Sequence, residues 1–174
     1  MRLIFQRVLH ATVLSQGKEI TSIDKGLLVY LGFAKGDTMS TIKRFTSKVL
    51  KVRVWKGIPK QMKKDSEKDS DLEPKEEQKS DPSAELKRWE TSVLDNNYEV
   101  LVVPMSALYW PIPDEKVEVV EPLTPEENLK LYTQFVNQLK QEYKPEMIKA
   151  SGFGDNFQIK IVIDGPVTLL NEGQ

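Results

Sequence analysis

The sequence contains no cysteine and a single histidine, His10. A chain without thiols can form neither disulfides nor thiolate metal sites, and it has no cysteine nucleophile. A serine–histidine–aspartate triad would have to use His10, which ends an apolar N-terminal run and suits a structural or solvent-facing role better. We therefore expect no metal and no cofactor, and few side chains suited to acid–base chemistry.

Long apolar segments and a dominant charge sign are missing as well. No apolar run approaches the roughly 18 residues of a membrane-spanning helix, and the N-terminus lacks the layout of a signal peptide. The formal net charge of the 174 residues is −1, so any contact with RNA must rest on a local patch and on shape. These features predict a soluble, cytoplasmic protein with one domain over residues 1–174.

Hydrophobic periodicity in the first third of the chain predicts strands followed by a helix. The segment 1–8 is an apolar strand, a hairpin turns at Gln16-Gly17, and the continuous apolar run 26–33 is typical of a strand buried on both faces. A helix capped by Asp37 or Thr38 is expected next, and residues 51–55 are expected to return to strand. The apolar stripe of that helix comprises Ile42, Phe45, Val49 and Val52.

The segment 57–90 is dense in charges of both signs and carries three prolines. Such a composition cannot bury enough apolar surface to offset the entropy of ordering, so we interpret it as a solvated, disordered insertion. An alternative is an arm whose lysines contact RNA, although the interleaved acidic residues argue against it. Trp55 and Trp89 flank the insertion and are expected to pack together at its base.

The second half of the chain predicts a buried strand, a second helix and a final pair of strands. The strand spans residues 98–103. Thr124, Pro125 and Glu127 form a capping box with proline at the first helical position. The expected buried face of the helix comprises Leu129, Tyr132, Val136, Leu139 and Tyr143. Phe157, Ile159, Ile161 and Ile163 are expected to point to one side of the last strand.

The run IVIDGPVTLL holds Gly165-Pro166 where a strand interior normally excludes both residues. One interpretation is a simple strand-breaking bulge, with Asp164 bonding local N–H groups as turn aspartates do. The other is a cis peptide bond, which turns two consecutive carbonyl oxygens the same way. Two such oxygens can bind an ammonium group or reject a bulky side chain without any titrating group.

Six segments occur in a characteristic order: MRLIFQRV, GLLVYLGFAKGDT, KVLKVRVW, SVLDNNYEVLVV, SGFGDNFQIKI and DGPVT. Together they resemble the D-aminoacyl-tRNA deacylase family from Met1 to about Leu170, apart from residues 57–90. The resemblance implies an α/β fold of mixed β-sheet layers with two helices, and a homodimer. It also implies hydrolysis of the ester bond of D-aminoacyl-tRNA, which releases the D-amino acid and tRNA and serves as chiral proofreading in translation.

The same resemblance assigns the candidate site residues. It implies catalytic positions at Pro104, Met105, Ser106 and Ala107, and substrate-binding positions at Phe153, Leu108, Gly165 and Pro166. The Gly165-Pro166 pair would be offered to the site of the partner subunit, where its carbonyl oxygens bind the α-amino group and exclude L side chains.

The chain departs from the family motif at the catalytic positions. Pro104, Met105 and Ala107 stand where the family writes serine, glutamine and threonine, and strand alternation would turn Ser106 to the opposite face from that threonine. An alternative is therefore a homologue that is catalytically silent or stereochemically relaxed, and that binds tRNA 3′ ends or a protein partner.

Overall fold

The computed structural model describes residues 1–57, 88–120, 122–154 and 156–173. Strands and helices alternate along these ranges in a mixed α/β arrangement. The strands are β1 (Arg2–Ser15), β2 (Lys18–Ile23), β3 (Gly26–Gly32), β4 (Glu99–Pro104), β5 (Ile148–Ala150) and β6 (Phe157–Glu172). The helices are α1 (Met39–Lys51), α2 (Val93–Asn96) and α3 (Pro125–Glu142), with 3₁₀ turns at Ser106–Tyr109 and Pro145–Met147.

One long strand, β1, organises the sheet. Its first half pairs antiparallel with β3, its second half pairs antiparallel with β2, and β6 pairs with it along nearly its whole length. On the far side of β3, the strands β4 and β5 add in parallel. The carboxyl ends of β3, β4 and β5 therefore meet at one edge of the sheet, the place where α/β sheets commonly bind ligands.

Both faces of the central strands are buried, as the apolar run 26–33 predicts. Leu27, Val29 and Leu31 pack with the apolar stripes of α1 and α3 in one core. Leu28 faces a second core on the opposite side of the sheet, which β1, β2 and β4 complete and against which β6 packs. Alternating side chains of one strand thus serve two separate cores.

The capping signals for the two long helices are confirmed. Thr38 caps α1 and Thr124 caps α3, and each threonine accepts a hydrogen bond from the backbone N–H three residues on. The buried face of α3 differs from the prediction, because Leu129 is exposed whereas Asn128 is buried. The short helix α2 was not anticipated; Ser92 and Asp95 form a capping box at its start.

One strand assignment was wrong. Residues 51–55 do not return to strand: α1 runs to Lys51, and Trp55 makes only an isolated bridge with Thr91. The segments on either side of Gly165-Pro166 belong to one continuous strand, β6. Most of the predicted inward alternation of β6 holds, but Ile163 is exposed, since the register between β1 and β6 shifts beside it.

The predicted insertion falls largely on residues 58–87, which lie outside the described residues. At its base, the backbone N–H of Glu90 donates to the carbonyl oxygen of Trp55 at 2.9 Å. The two flanking tryptophans do not pack together as expected. Trp55 is buried edge-on against Tyr98 with ring centroids 5.1 Å apart, whereas Trp89 is half exposed.

Candidate functional site

A cavity of about 470 Å³ opens where the parallel strands β3, β4 and β5 end; we call it the strand-end cavity. Its size falls within the roughly 300–1,000 Å³ of small-ligand sites. Most of its wall is apolar or aromatic, with a few polar groups. The lining residues are Leu31, Gly32, Phe33, Pro104, Met105, Ser106, Trp110, Pro125, Asn128, Phe153, Gly154, Asn156 and Phe157.

A close approach of two segments builds the rim of the strand-end cavity. The backbone N–H of Met105 donates to the carbonyl oxygen of Leu31 at 2.7 Å, which extends the β3–β4 pairing by one bond. Gly32 permits this approach, because a Cβ atom there would lie 2.9 Å from the carbonyl oxygen of Met105 and 3.3 Å from Cβ of Leu108. The absence of a side chain at Gly32 therefore lets the 3₁₀ turn sit over the strand end.

The first amides of the 3₁₀ turn have no hydrogen-bond partner among the described residues. Leu108 donates to the carbonyl oxygen of Met105, but the backbone N–H groups of Ser106 and Ala107 make no hydrogen bond within the described residues. The first N–H groups of any helical turn lack such partners. Two neighbouring donors at a cavity rim can stabilise an oxyanion.

Ser106 lies in the wall of the strand-end cavity, contrary to the expectation from strand alternation. Strand β4 ends at Pro104, and the 3₁₀ turn begins two residues later. Alternation applies only while the backbone stays extended. Met105 and Ser106 therefore both line the cavity, although they are adjacent in sequence.

Helix α3 supplies the wall opposite the 3₁₀ turn. Asn128 is 7% exposed, and its amide nitrogen donates to the carbonyl oxygens of Leu123 (3.2 Å) and Thr124 (3.3 Å). One turn later, the hydroxyl of Tyr132 lies 3.0 Å from the carbonyl oxygen of Val102 and 2.9 Å from that of Ser151. Burial raises the pKa of Tyr132 to about 12, so the phenol stays protonated at neutral pH.

The aromatic ring of Phe153 rests on this helix wall. Its centroid lies 5.9 Å from that of Tyr132, with the two rings tilted by 41°. Tyr132 belongs to α3, and its hydroxyl is bound by backbone carbonyl groups of β4 and of the segment after β5. The ring that supports Phe153 is therefore fixed by α3, β4 and that segment.

The Gly165-Pro166 pair lies elsewhere, in a bulge of β6. Gln6 pairs with Thr168 and Val8 with Ile163, so the four residues Asp164–Val167 face the single residue Arg7. The peptide bond between Gly165 and Pro166 is cis, and Gly165 has a φ of +130° that favours glycine. Both residues are exposed, and neither lines the strand-end cavity of its own chain.

Arg7 holds this bulge. Its Nε donates to the carbonyl oxygen of Asp164 at 3.1 Å and forms an ion pair with the Asp164 carboxylate at 3.1 Å. Its Nη2 reaches the same carboxylate at 3.3 Å, and its Nη1 donates to the carbonyl oxygen of Val54. Asp164 thus binds a side chain across the sheet rather than only local N–H groups.

The eight residues proposed from the resemblance fall into two groups. Pro104, Met105, Ser106 and Phe153 meet in the strand-end cavity. The side chains of the others do not line it: Ala107 and Leu108 belong to the 3₁₀ turn at the rim, and Gly165 and Pro166 lie in the bulge.

Several cavity residues were not proposed from the sequence. Asn128 was missed because the predicted apolar face of α3 included its neighbour Leu129 instead. Trp110 lies outside the family segments, and Phe33 and Phe157, although inside them, were not singled out, since aromatic residues beside strands usually belong to the core. The only sequence feature that singles out Arg7 is that it is a charged residue inside an apolar strand.

Comparison with known proteins identifies the family. The model of the D-Tyr-tRNA(Tyr) deacylase family matches residues 4–73 and 79–172. The chain belongs to this family. The D-Tyr-tRNA(Tyr) deacylase match takes in both β3 and the bulge of β6, and so contains both groups of candidate site residues.

Relatives of the deacylase family from distant eukaryotes are similar over nearly the whole chain. The D-aminoacyl-tRNA deacylase of Drosophila melanogaster is 31% identical over 97% of this chain and 90% of its own length. The protein of the same name from Dictyostelium discoideum is 29% identical over 97% of this chain and 95% of its own length. D-aminoacyl-tRNA deacylase 1 of Homo sapiens is 30% identical over 97% of this chain and 68% of its own.

Two solved structures have a fold similar to that of this chain. The structure of a "c-Myc DNA Unwinding Element Binding Protein" superposes with a TM-score of 0.81 at 29% identity, and it covers all of this chain and 99% of its own. A structure described as a "probable eukaryotic D-amino acid tRNA deacylase" has a TM-score of 0.71 at 13% identity, covering 98% and 97% of the two chains. Within the described ranges, no helix is long and apolar enough to cross a membrane.

Proposed function

We propose that this protein hydrolyses the ester bond of D-aminoacyl-tRNA, releasing the free D-amino acid and tRNA, and so acts in chiral proofreading. The observation that carries the proposal is the deacylase family match along nearly the whole described chain. The strand-end cavity supports it, because four of the positions implied by the family motifs line one cavity, and two amides at its rim have no partner in the part of the chain that the structure describes.

The proposed reaction requires few catalytic side chains. Water attacks the ester carbonyl carbon, and the resulting oxyanion is stabilised by the backbone N–H groups of Ser106 and Ala107. The bond to the terminal ribose oxygen then breaks, and that oxygen takes up a proton as the amino acid leaves. Every residue except proline carries a backbone N–H, and the donors here belong to Ser106 and Ala107, so the changes at Pro104, Met105 and Ala107 leave both donors in place.

Chiral selection is assigned to the carbonyl oxygens at Gly165-Pro166. Because the pair is exposed and lines no part of its own strand-end cavity, we propose that it reaches the cavity of a second subunit in a homodimer. There the oxygens accept hydrogen bonds from the α-amino group of the substrate and leave no room for an L side chain. Since the substrate is charged tRNA, we place the protein in the cytoplasm.

Parallel hydrolysis of D-tyrosyl-tRNA and L-tyrosyl-tRNA by the purified protein tests the proposal. We expect rapid release from the D ester and release from the L ester close to that in buffer. D-ester release no faster than in buffer, despite measurable tRNA binding, would instead support the catalytically silent homologue. Equal release from both esters would contradict chiral selection.

The variant Gly32→Ala tests the oxyanion donors. The added Cβ would crowd the carbonyl oxygen of Met105 and push the 3₁₀ turn off the strand end. We expect kcat to fall by about 10²-fold, as for a lost oxyanion donor. Thermal melting followed by circular dichroism checks that the protein is folded at the assay temperature, and an unchanged kcat would exclude this turn as the oxyanion site.

A further inference from the structure

The amide oxygen of Asn128 is an unused hydrogen-bond acceptor in the wall of the strand-end cavity. An asparagine side chain offers two donors on nitrogen and an acceptor on oxygen. Here the nitrogen donates to the carbonyl oxygens of Leu123 and Thr124, while nothing among the described residues donates to the oxygen. The side chain is 7% exposed and belongs to the cavity lining.

The two backbone carbonyl groups also fix which way the amide points. Turning the group over would set its oxygen against two carbonyl oxygens and forfeit both hydrogen bonds. Asn128 therefore presents an acceptor, and the cavity at this point favours a ligand that carries an N–H or O–H donor.

The surroundings of Asn128 favour a flat aromatic ligand. Tyr132 lies one helical turn further along the same face of α3, and its ring contacts Phe153, which also lines the cavity. Aromatic side chains bind nucleic-acid bases by stacking. A cavity lined by both an amide acceptor and the partly exposed ring of Phe153 suits a base with an exocyclic amino group.

We propose that Asn128 is a specificity-determining residue that accepts a hydrogen bond from the 6-amino group of the terminal adenine, with the base lying against Phe153. The inference rests on the proposed function, since every aminoacyl-tRNA carries its ester on a terminal adenosine. A purine lacking the amino group leaves the amide oxygen of Asn128 without its ligand partner, and a 6-oxo purine sets an oxygen against it. Both changes weaken binding.

D-tyrosyl-tRNAs that end in adenosine, in purine riboside or in inosine provide the test. For the wild-type protein we expect kcat/KM to be roughly 10- to 100-fold lower with either analogue than with adenosine. In Asn128→Ala and Asn128→Ser the three substrates should react at nearly equal rates. Asn137→Ala, an exposed asparagine on the same helix, should keep the wild-type preference. The ratio of two substrates within one variant is insensitive to partial loss of folded protein.

Two results would overturn the inference: equal rates on the three substrates for the wild-type protein, or a wild-type preference retained in both Asn128 variants. Calorimetric titration with AMP and with purine riboside monophosphate separates this inference from the proposed function. One outcome is a protein that does not hydrolyse the ester but binds AMP more tightly than the purine analogue, and that loses this preference in Asn128→Ala. That outcome would retain the base contact and reject the deacylase. Hydrolysis restricted to D esters, without a base preference that depends on Asn128, would retain the deacylase and reject the base contact.

Discussion

Arg7 is a charged residue in an apolar strand, and its contacts explain why it is there. Its guanidinium group binds the carboxylate and carbonyl oxygen of Asp164 and the carbonyl oxygen of Val54, so three planar N–H groups join β1, the bulge of β6 and the segment after α1. Hydrogen bonds to charged groups contribute about 1.5–3 kcal/mol each to stability. Arg7 therefore sets the position from which Gly165 and Pro166 are presented.

Arg7→Lys should loosen the bulge while keeping the positive charge. An ammonium group cannot reproduce the planar, forked contacts, so we expect the ratio of D-ester to L-ester hydrolysis to fall roughly tenfold, because the discriminating oxygens are less firmly placed. Rates on D-tyrosyl-tRNA and L-tyrosyl-tRNA measure the ratio. Arg53→Lys, at an exposed arginine, is the matched control. An unaltered ratio in Arg7→Lys would show that the bulge needs no such support.

Residue-scale chemistry was only partly predictable from the sequence. Ser106 and Phe153 were proposed through the family motifs and lie together in the strand-end cavity. Asn128 could not be proposed, because its importance depends on carbonyl groups of Leu123 and Thr124 that fix its amide and on a cavity formed by distant strands. Local patterns reveal which residues face inward, but not which polar atoms remain without a partner.

At the scale of elements, α3 links the strand-end cavity to the core. Phe135 and Leu139 are fully buried in the core, Asn128 lines the cavity, and Tyr132 contacts the cavity residue Phe153. The pKa of the Tyr132 phenol is raised to about 12, chiefly because burial disfavours the phenolate. Ionisation of this side chain therefore opposes folding.

This raised pKa predicts a loss of stability at alkaline pH. The unfolded chain ionises near pH 10 and the folded protein near pH 12, so the folded state binds more protons between these values and the free energy of unfolding falls as pH rises. Tyr132 should contribute a fall of roughly 2–3 kcal/mol across that window. Urea unfolding at pH 8 and pH 11.5 covers most of this window and should show a fall of about 2 kcal/mol.

The variant Tyr132→Phe isolates this contribution, because Tyr109 also has a pKa raised to about 12 and remains in both proteins. The variant should lose about 1 kcal/mol at pH 8, where the hydrogen bond matters, yet show a shallower decline toward pH 11.5. Parallel declines in the two proteins would contradict the assignment of the alkaline effect to Tyr132.

Elements with strong local signals were predicted best. The capping threonines and the 3.6-residue stripes placed α1 and α3, since these signals depend on neighbours in sequence. The segment 51–55 was misread as strand because its alternation matches a strand, yet only Trp55 finds a pairing partner, at Thr91. The pairing of β6 with β1 on both sides of Gly165-Pro166 could not be predicted, because it does not follow from local preference.

At the scale of the whole molecule, the base of the segment 58–87 is anchored independently of that segment. Trp55 packs on Tyr98 and bridges Thr91, whose hydroxyl donates to the carbonyl oxygen of Lys56 at 3.0 Å. Replacing residues 60–85 by a short glycine-serine linker should therefore change Tm by only a few degrees. Differential scanning calorimetry measures the shift, and a large fall in Tm would contradict the prediction of a dispensable insertion.

Exposed apolar side chains on β1 and β6 bear on the assembly. Leu9, Val162, Ile163 and Leu170 are 44–61% exposed on these two paired strands, and the bulge with Gly165 and Pro166 lies between Ile163 and Leu170. Exposed apolar side chains grouped on paired strands are candidates for an interaction surface. If a second copy covers this surface, the same contact brings its bulge toward a neighbouring subunit.

Val162→Lys should therefore disrupt both assembly and chiral selection, because a buried lysine without a partner opposes association. We expect the wild-type protein to sediment as a dimer at micromolar concentration and the variant as a monomer, with the D-to-L hydrolysis ratio falling toward one. Ile112→Lys, at an exposed apolar side chain outside these strands, should leave the dimer and the ratio intact. A monomeric Val162→Lys protein that still rejects L-tyrosyl-tRNA would show that the Gly165-Pro166 oxygens act within their own chain or not at all.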